Sequence, residues 1–73
     1  MRIIFSKHCR ESMRERKIEE EVVEAVNAKG QKWFSHKDQR HHARMSGVEV
    51  VYEIESDAED ICKVVTCFYS WFP

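Results

Sequence analysis

Two clusters of side chains in this 73-residue sequence have the types and spacing to do chemistry. The first is HKDQRHHAR, residues 36–44. Alternate side chains of an extended strand share a face, so Arg40, His42 and Arg44 fall together, with His41, Ala43 and Met45 opposite. Guanidinium groups hold phosphoryl oxygens through paired donors, and imidazole moves protons near neutral pH. That combination suits cleavage of RNA by its own 2′-hydroxyl. His42 or His36 would handle a proton, while Arg40 and Arg44 would bind the phosphoryl oxygens and stabilise the charge that builds on them. On the preceding extended segment Lys32, Phe34 and His36 share one face, and Gln31, Trp33 and Ser35 the other. A cationic row beside an aromatic can hold a backbone and stack a base, with Lys32, His36 and Lys37 as RNA contacts. A solvated charged face, or one that docks an acidic protein, is the plainer reading.

The second cluster is FSKHCRESMRERKI, residues 5–18. On a helix, His8, Ser12 and Glu15 share a face, and Arg10 and Arg14 form another row four residues apart. Arg14 and Arg16 are candidate phosphate contacts. His8, in the first turn, either assists proton transfer or locks the corner between strand and helix. Metal ligation is not expected, and no cofactor is. Neighbouring histidines of a strand, such as His41 and His42, point to opposite faces, and the helical HExxH spacing and close Cys–His pairs are missing.

These residues need elements to place them. Arg2 to Phe5 reads as a short strand, and Ser6 as the N-cap of a helix reaching about Arg16. EEEVVEAVNAKG reads as a second helix, with acids at its positive end and Ile18, Val22, Val23 and Val26 as its apolar stripe. Gly30 is its stop signal. QKWFSHK and RHHARM follow as strands around a KDQ turn, and Ser46-Gly47 makes a tight turn. VEVVYEIE alternates, with Val48, Val50, Tyr52 and Ile54 on one side and Glu49, Glu53 and Glu55 on the other. ICKVVTCFY closes the sheet as a central strand, with Thr66 expected in phase with Cys62, Val64 and Phe68. The order predicts an α+β domain: an N-terminal strand and two short helices packed on a mainly antiparallel sheet of four or five strands.

Composition narrows the class. A chain of this length forms one domain over residues 1–73, burying only about 60% of its unfolded surface. The net charge of −1 hides a division. Residues 1–47 carry 11 Lys and Arg against 7 acids, and residues 48–73 one Lys against 6 acids. The basic half permits a polyanionic partner. Cys9, Cys62 and Cys67 are an odd number without a CxxC pair, which points to buried reduced thiols. No apolar run is long enough to span a membrane, and MRIIF lacks the form of a secretory signal. A soluble cytoplasmic protein is expected, with no membrane partner.

FSKHCRESMRERKI, EEEVVEAV and KVVTCFY together resemble the DUF4258 family, which is similar to the RelE/ParE-like toxin superfamily with its BrnT-type ribonucleases. Phe5, Ser6, His8, Met13, Arg16 and Ile18 fit the family's opening pattern F-S-x-H-A-x-x-R-M-x-x-R-G-I, and Thr66 fits its closing threonine. Cys9 stands where a small residue is usual, Ser12 where an arginine is, and Lys17 where glycine is common. The resemblance implies a RelE-like fold and an endoribonuclease toxin, acting on RNA that is free or ribosome-associated. It implies an antitoxin or other protein partner, and basic hairpin residues such as Arg40 or Arg44 that meet RNA. The same superfamily holds gyrase poisons and proteins without demonstrated activity. A non-enzymatic binding protein, such as a phage-encoded inhibitor or accessory factor, is therefore the rival expectation. The aromatic end YSWFP would close the hydrophobic layer or join two copies as a homodimer.

Overall fold

The computed structural model describes residues 2–56 and 58–70. The elements run β1 (Arg2–Phe5), α1 (Lys7–Arg16), α2 (Glu20–Lys29), β2 (Gln31–Ser35), β3 (Arg40–Met45), β4 (Val48–Ser56) and β5 (Ile61–Tyr69). The architecture is α+β, as the pattern of elements predicts. One five-stranded sheet has the order β1-β5-β4-β3-β2, with β1 parallel to β5 and the other pairs antiparallel.

Ser6 makes the corner from β1 into α1. Its hydroxyl accepts the Cys9 N–H at 3.0 Å and donates to the Val65 carbonyl at 2.9 Å, while its own N–H donates to Val64 at 3.0 Å. One residue thus caps the helix and satisfies β5 where β1 stops. His8 is exposed and its side chain makes no hydrogen bond among the described residues, so the corner is locked by Ser6 and not by His8. The helix ends at Lys17 in the left-handed conformation, φ 57° and ψ 44°. That backbone crowds an L side chain, which gives a physical reason for glycine to be favoured at such a position.

The second helix carries Glu20 and Glu21 in its first turn and Lys29 in its last, as the dipole favours. Gly30 does terminate it, though by a different mechanism from a left-handed cap. Its φ is −70°, and a Cβ there would sit 2.5 Å from the Val26 carbonyl oxygen and 2.9 Å from that of Arg44. The close approach of α2 and β3 is what demands glycine. Val23 and Val26 are buried, whereas Val22, placed in the same stripe by spacing, lies 38% exposed.

Two turns and a bulge set the sheet. Ser46 and Gly47 both have positive φ, 53° and 77°, giving the two-residue hairpin whose twist matches its strands and pairing Met45 with Val48. The β2–β3 connection is longer than the KDQ turn read from sequence. It takes residues 36–39, so His36 and Lys37 leave the strand for the loop. Gln39 sits there at φ 59° and donates to the His36 carbonyl at 2.8 Å. In β5 the pairing slips by one residue, Val51 facing Thr66 but Tyr52 facing Val64. Val65 is the extra residue of this bulge. It shifts the alternation, so Cys67 joins Cys62 and Val64 in the core, while Thr66 falls out of phase with them and its hydroxyl meets Ser12 of α1.

The core lies between the helices and one sheet face, built from Cys9, Met13, Val23, Val26, Val50 and Val64 among others. All three cysteines are free and buried. A hydrogen bond to Cys67 together with burial pushes the Cys9 thiol up. Among the described residues no helix is long and apolar enough to cross a membrane. The proposed dimer segment falls largely on Trp71 and Phe72, which lie outside the described residues.

Candidate functional site on the β2–β3–β4 face

Sheet register brings the predicted strand face together and adds partners to it. Arg40, His42 and Arg44 lie on the side of β3 that faces away from buried Ala43. Trp33 pairs with His42 across β2, and Arg44 pairs with Glu49 across β4. His41 pairs with Tyr52, so one step further along Arg40 stands opposite Glu53. The basic row of β3 is therefore flanked by the acidic row of β4.

His42 is the centre of the site. The residue is 8% exposed, and its ring stacks on Trp33 with centroids 5.3 Å apart and planes 16° from parallel. Nδ1 lies 3.0 Å from Glu49 Oε2, and Nε2 lies 3.1 Å from Asp38 Oδ2. The two carboxylates differ in setting: the Glu49 side chain is 11% exposed and that of Asp38 is 39% exposed. Glu49 reaches His42 diagonally from the adjacent strand, a distance that a long side chain spans. Asp38 reaches it from the loop, where its other oxygen accepts the Arg40 N–H at 3.1 Å. Partial desolvation pushes the Asp38 carboxyl up, but hydrogen bonds from His42, Ser35 and the Arg40 N–H outweigh it and hold the group below its ordinary range.

Chemically, a ring held at both edges is oriented but not open. A buried carboxylate at Nδ1 fixes the orientation of the imidazole, while the exposed partner at Nε2 occupies the edge that a reacting hydroxyl would need. Arg40 is likewise engaged, its Nε 3.0 Å from Glu53 Oε1. Asp38 and Glu49 contact opposite edges of one ring, and among the described residues no group of three or more His, Cys, Asp or Glu is arranged to hold a metal ion.

The other expected site residues are distributed. Lys32 lies on the face of β2 opposite Trp33 and donates to the Ala28 carbonyl at 3.1 Å. His36 and Lys37 are exposed on the loop, the His36 ring standing edge-on to Phe34 at 5.0 to 5.1 Å, as His41 also does. His8, Arg14 and Arg16 are exposed on α1, which packs against β5 and follows the edge strand β1. Two further strand spacings, roughly 10 Å, separate β5 from β3. His8 and His42 thus belong to different parts of the molecule. Ser12, beside them in sequence, is buried and meets the Thr66 hydroxyl at 3.4 Å.

Asp38 and Glu49, the partners that define the setting of His42, were not among the residues singled out by type. The spacing did contain a signal. A two-residue turn at Ser46-Gly47 fixes which β4 acid faces which β3 base.

The described fold and site can be set beside known proteins. A family model, a domain of unknown function named DUF4258, matches residues 5–69. This chain belongs to the DUF4258 family. No curated protein and no solved structure matches it significantly. Within the DUF4258 chain the match spans every element from the last residue of β1 to the last residue of β5, so the site described above lies wholly inside it.

Proposed function

We propose that this DUF4258 protein is a toxin-like endoribonuclease of the RelE-like class that cleaves RNA without a metal, by attack of the 2′-hydroxyl on the adjacent phosphorus. The observation that supports this reading is the alignment Glu49–His42–Asp38 under Trp33, with Arg40 and Arg44 on the same face. RNA would displace Asp38 from Nε2. His42 then takes the 2′-hydroxyl proton, Glu49 steadies the resulting cation, and the new O2′–P bond forms as the P–O5′ bond breaks. The 5′-oxygen leaves with a proton drawn from solvent, giving a 2′,3′-cyclic phosphate. Arg40, exchanged from Glu53, and Arg44 stabilise the phosphorane charge. Trp33 offers a stacking surface, and Lys37 and His36 hold the backbone at the loop. Lys32 borders the strand edge, and Arg14, Arg16 and His8 extend the contact along α1 for a longer or ribosome-bound RNA. An antitoxin or other protein partner in the cytoplasm would act by covering this face.

The second reading is a non-enzymatic binding protein. It is favoured by one specific observation: both His42 nitrogens and Arg40 already face carboxylates. Incubation of the purified chain with RNA, alone and with ribosomes, separates the two. Cyclic-phosphate ends that vanish in Arg40→Ala/Arg44→Ala and in His42→Gln support the enzyme. A folded wild-type chain that never cuts RNA under either condition rules it out and leaves the binding reading.

A further inference from the structure

The helix side of the sheet contains a second feature, separate from the His42 face. Asn27 of α2 is 1% exposed, and its Nδ2 lies 3.5 Å from the Cys62 sulfur. Its Oδ1 is buried and accepts no hydrogen bond from any of the described residues. Buried amide oxygens are rarely left without a donor, because desolvation removes water and nothing replaces it. Asn27 also lines a cavity of about 140 Å³, floored with Tyr52 and Cys62 and opening past Ile54, Ser56 and Asp60. A single water needs only about 10–15 Å³ of such space. The room exceeds what one bridging water would fill, yet it falls short of a site for a large cofactor.

We propose that this cavity binds a small organic cation that carries N–H donors on a short apolar stem, such as an alkylguanidinium. Three features select that chemistry. The buried acceptor on Asn27 calls for a donor. Asp60 lines the cavity and brings negative charge to it. The walls add apolar surface from Ile54 and Ile61. Burial pushes the Tyr52 hydroxyl and the Cys62 thiol up, so both floor groups remain neutral and neither repels nor replaces the ligand's charge. The ligand would reach the sheet from the face opposite His42, so its binding does not depend on RNA cleavage.

Titrating the full ¹⁵N-labelled chain with methylguanidinium chloride, followed by amide NMR, tests this directly. Sodium chloride and sodium acetate at matched ionic strength are the comparisons. Saturable shifts of the Asn27 side-chain amide and of the Ile61 and Cys62 backbone are expected with methylguanidinium alone. Asn27→Leu removes the acceptor and should abolish saturation. Ile54→Trp fills the mouth from a position that is 47% exposed, so it leaves the core intact if Asn27→Leu does not fold. Binding there should weaken at least about tenfold, the scale of one lost hydrogen-bonded contact. Linear shifts, shifts unchanged in Ile54→Trp, or saturation by acetate instead would overturn the proposal. The RNA-cleavage result has no bearing on any of these outcomes.

Discussion

Replacing His42 by Ala probes the site at its most consequential joint. The substitution strips Glu49 Oε2 of its partner at 3.0 Å and removes the ring stacked on Trp33. Glu49 cannot simply turn to water, since its side chain is only 11% exposed. Leaving a buried acceptor without its hydrogen-bond partner costs about 1–3 kcal/mol, and a stacked ring pair contributes roughly 0.5–1.5 kcal/mol. Together the two give a loss of about 3 kcal/mol, near the middle of their combined range. At 0.05–0.15 kcal/mol per residue the whole domain holds roughly 4–11 kcal/mol, so the loss is a large fraction. In a domain of this size the melting temperature should fall by about 12–24 °C. Urea denaturation followed by circular dichroism measures the free energy, and a thermal melt the temperature. The double variant His42→Leu/Glu49→Leu removes both polar partners together and should recover most of the loss, because no carboxylate is then stranded. A single variant within about 0.5 kcal/mol of wild type, the range of ordinary surface substitutions, would refute the reasoning. So would a double variant as unstable as the single one.

Other predictions concern backbone and pH. Lys17→Gly relieves a left-handed lysine at φ 57° and should stabilise the chain by about 1 kcal/mol in urea melts. Gly30→Ala drives a Cβ against two carbonyl oxygens, at 2.5 and 2.9 Å, and should cost about 1–3 kcal/mol by the same assay. The Asp38 carboxyl is held below its ordinary value in the fold, so its contribution is complete above about pH 4 and is lost as pH falls through the lowered value. Stability should therefore decline less steeply below about pH 4 in Asp38→Asn than in wild type, measured by urea melts at stepped pH.

Much of the architecture was legible because local rules agreed with one another. The Ser6 cap, the α2 acids and the Ser46-Gly47 turn each announce an element through short-range chemistry, and the strands Arg40–Met45 and Ile61–Tyr69 have the bounds that alternation and apolar runs suggest. Thr66 was misplaced because a bulge leaves no period in the sequence; it exists only when β5 is paired with β4. His36 was carried too far along β2 because its side chain fits a strand, while the turn is set by Gln39 at φ 59° and its bond to the His36 carbonyl. Val22 fits the helical stripe yet stays half-exposed, since a ten-residue helix on so thin a core covers only part of its apolar surface.

The sequence by itself determined that Arg40, His42 and Arg44 share one face, because alternation along a strand is a property of the backbone alone. It also placed Glu49 and Glu53 together on one face of the next strand. Only the tertiary structure decided that these two rows meet, that Glu49 is buried against Nδ1 and that exposed Asp38 closes Nε2. Which charge finds which partner depends on register and on burial across strands. Those are fixed by the turn at Ser46-Gly47 and by the packing of the whole sheet, not by any single segment. The same division holds for Asn27: its helix can be read from spacing, but its unpaired oxygen and the cavity beside it appear only once α2 lies against β4 and β5.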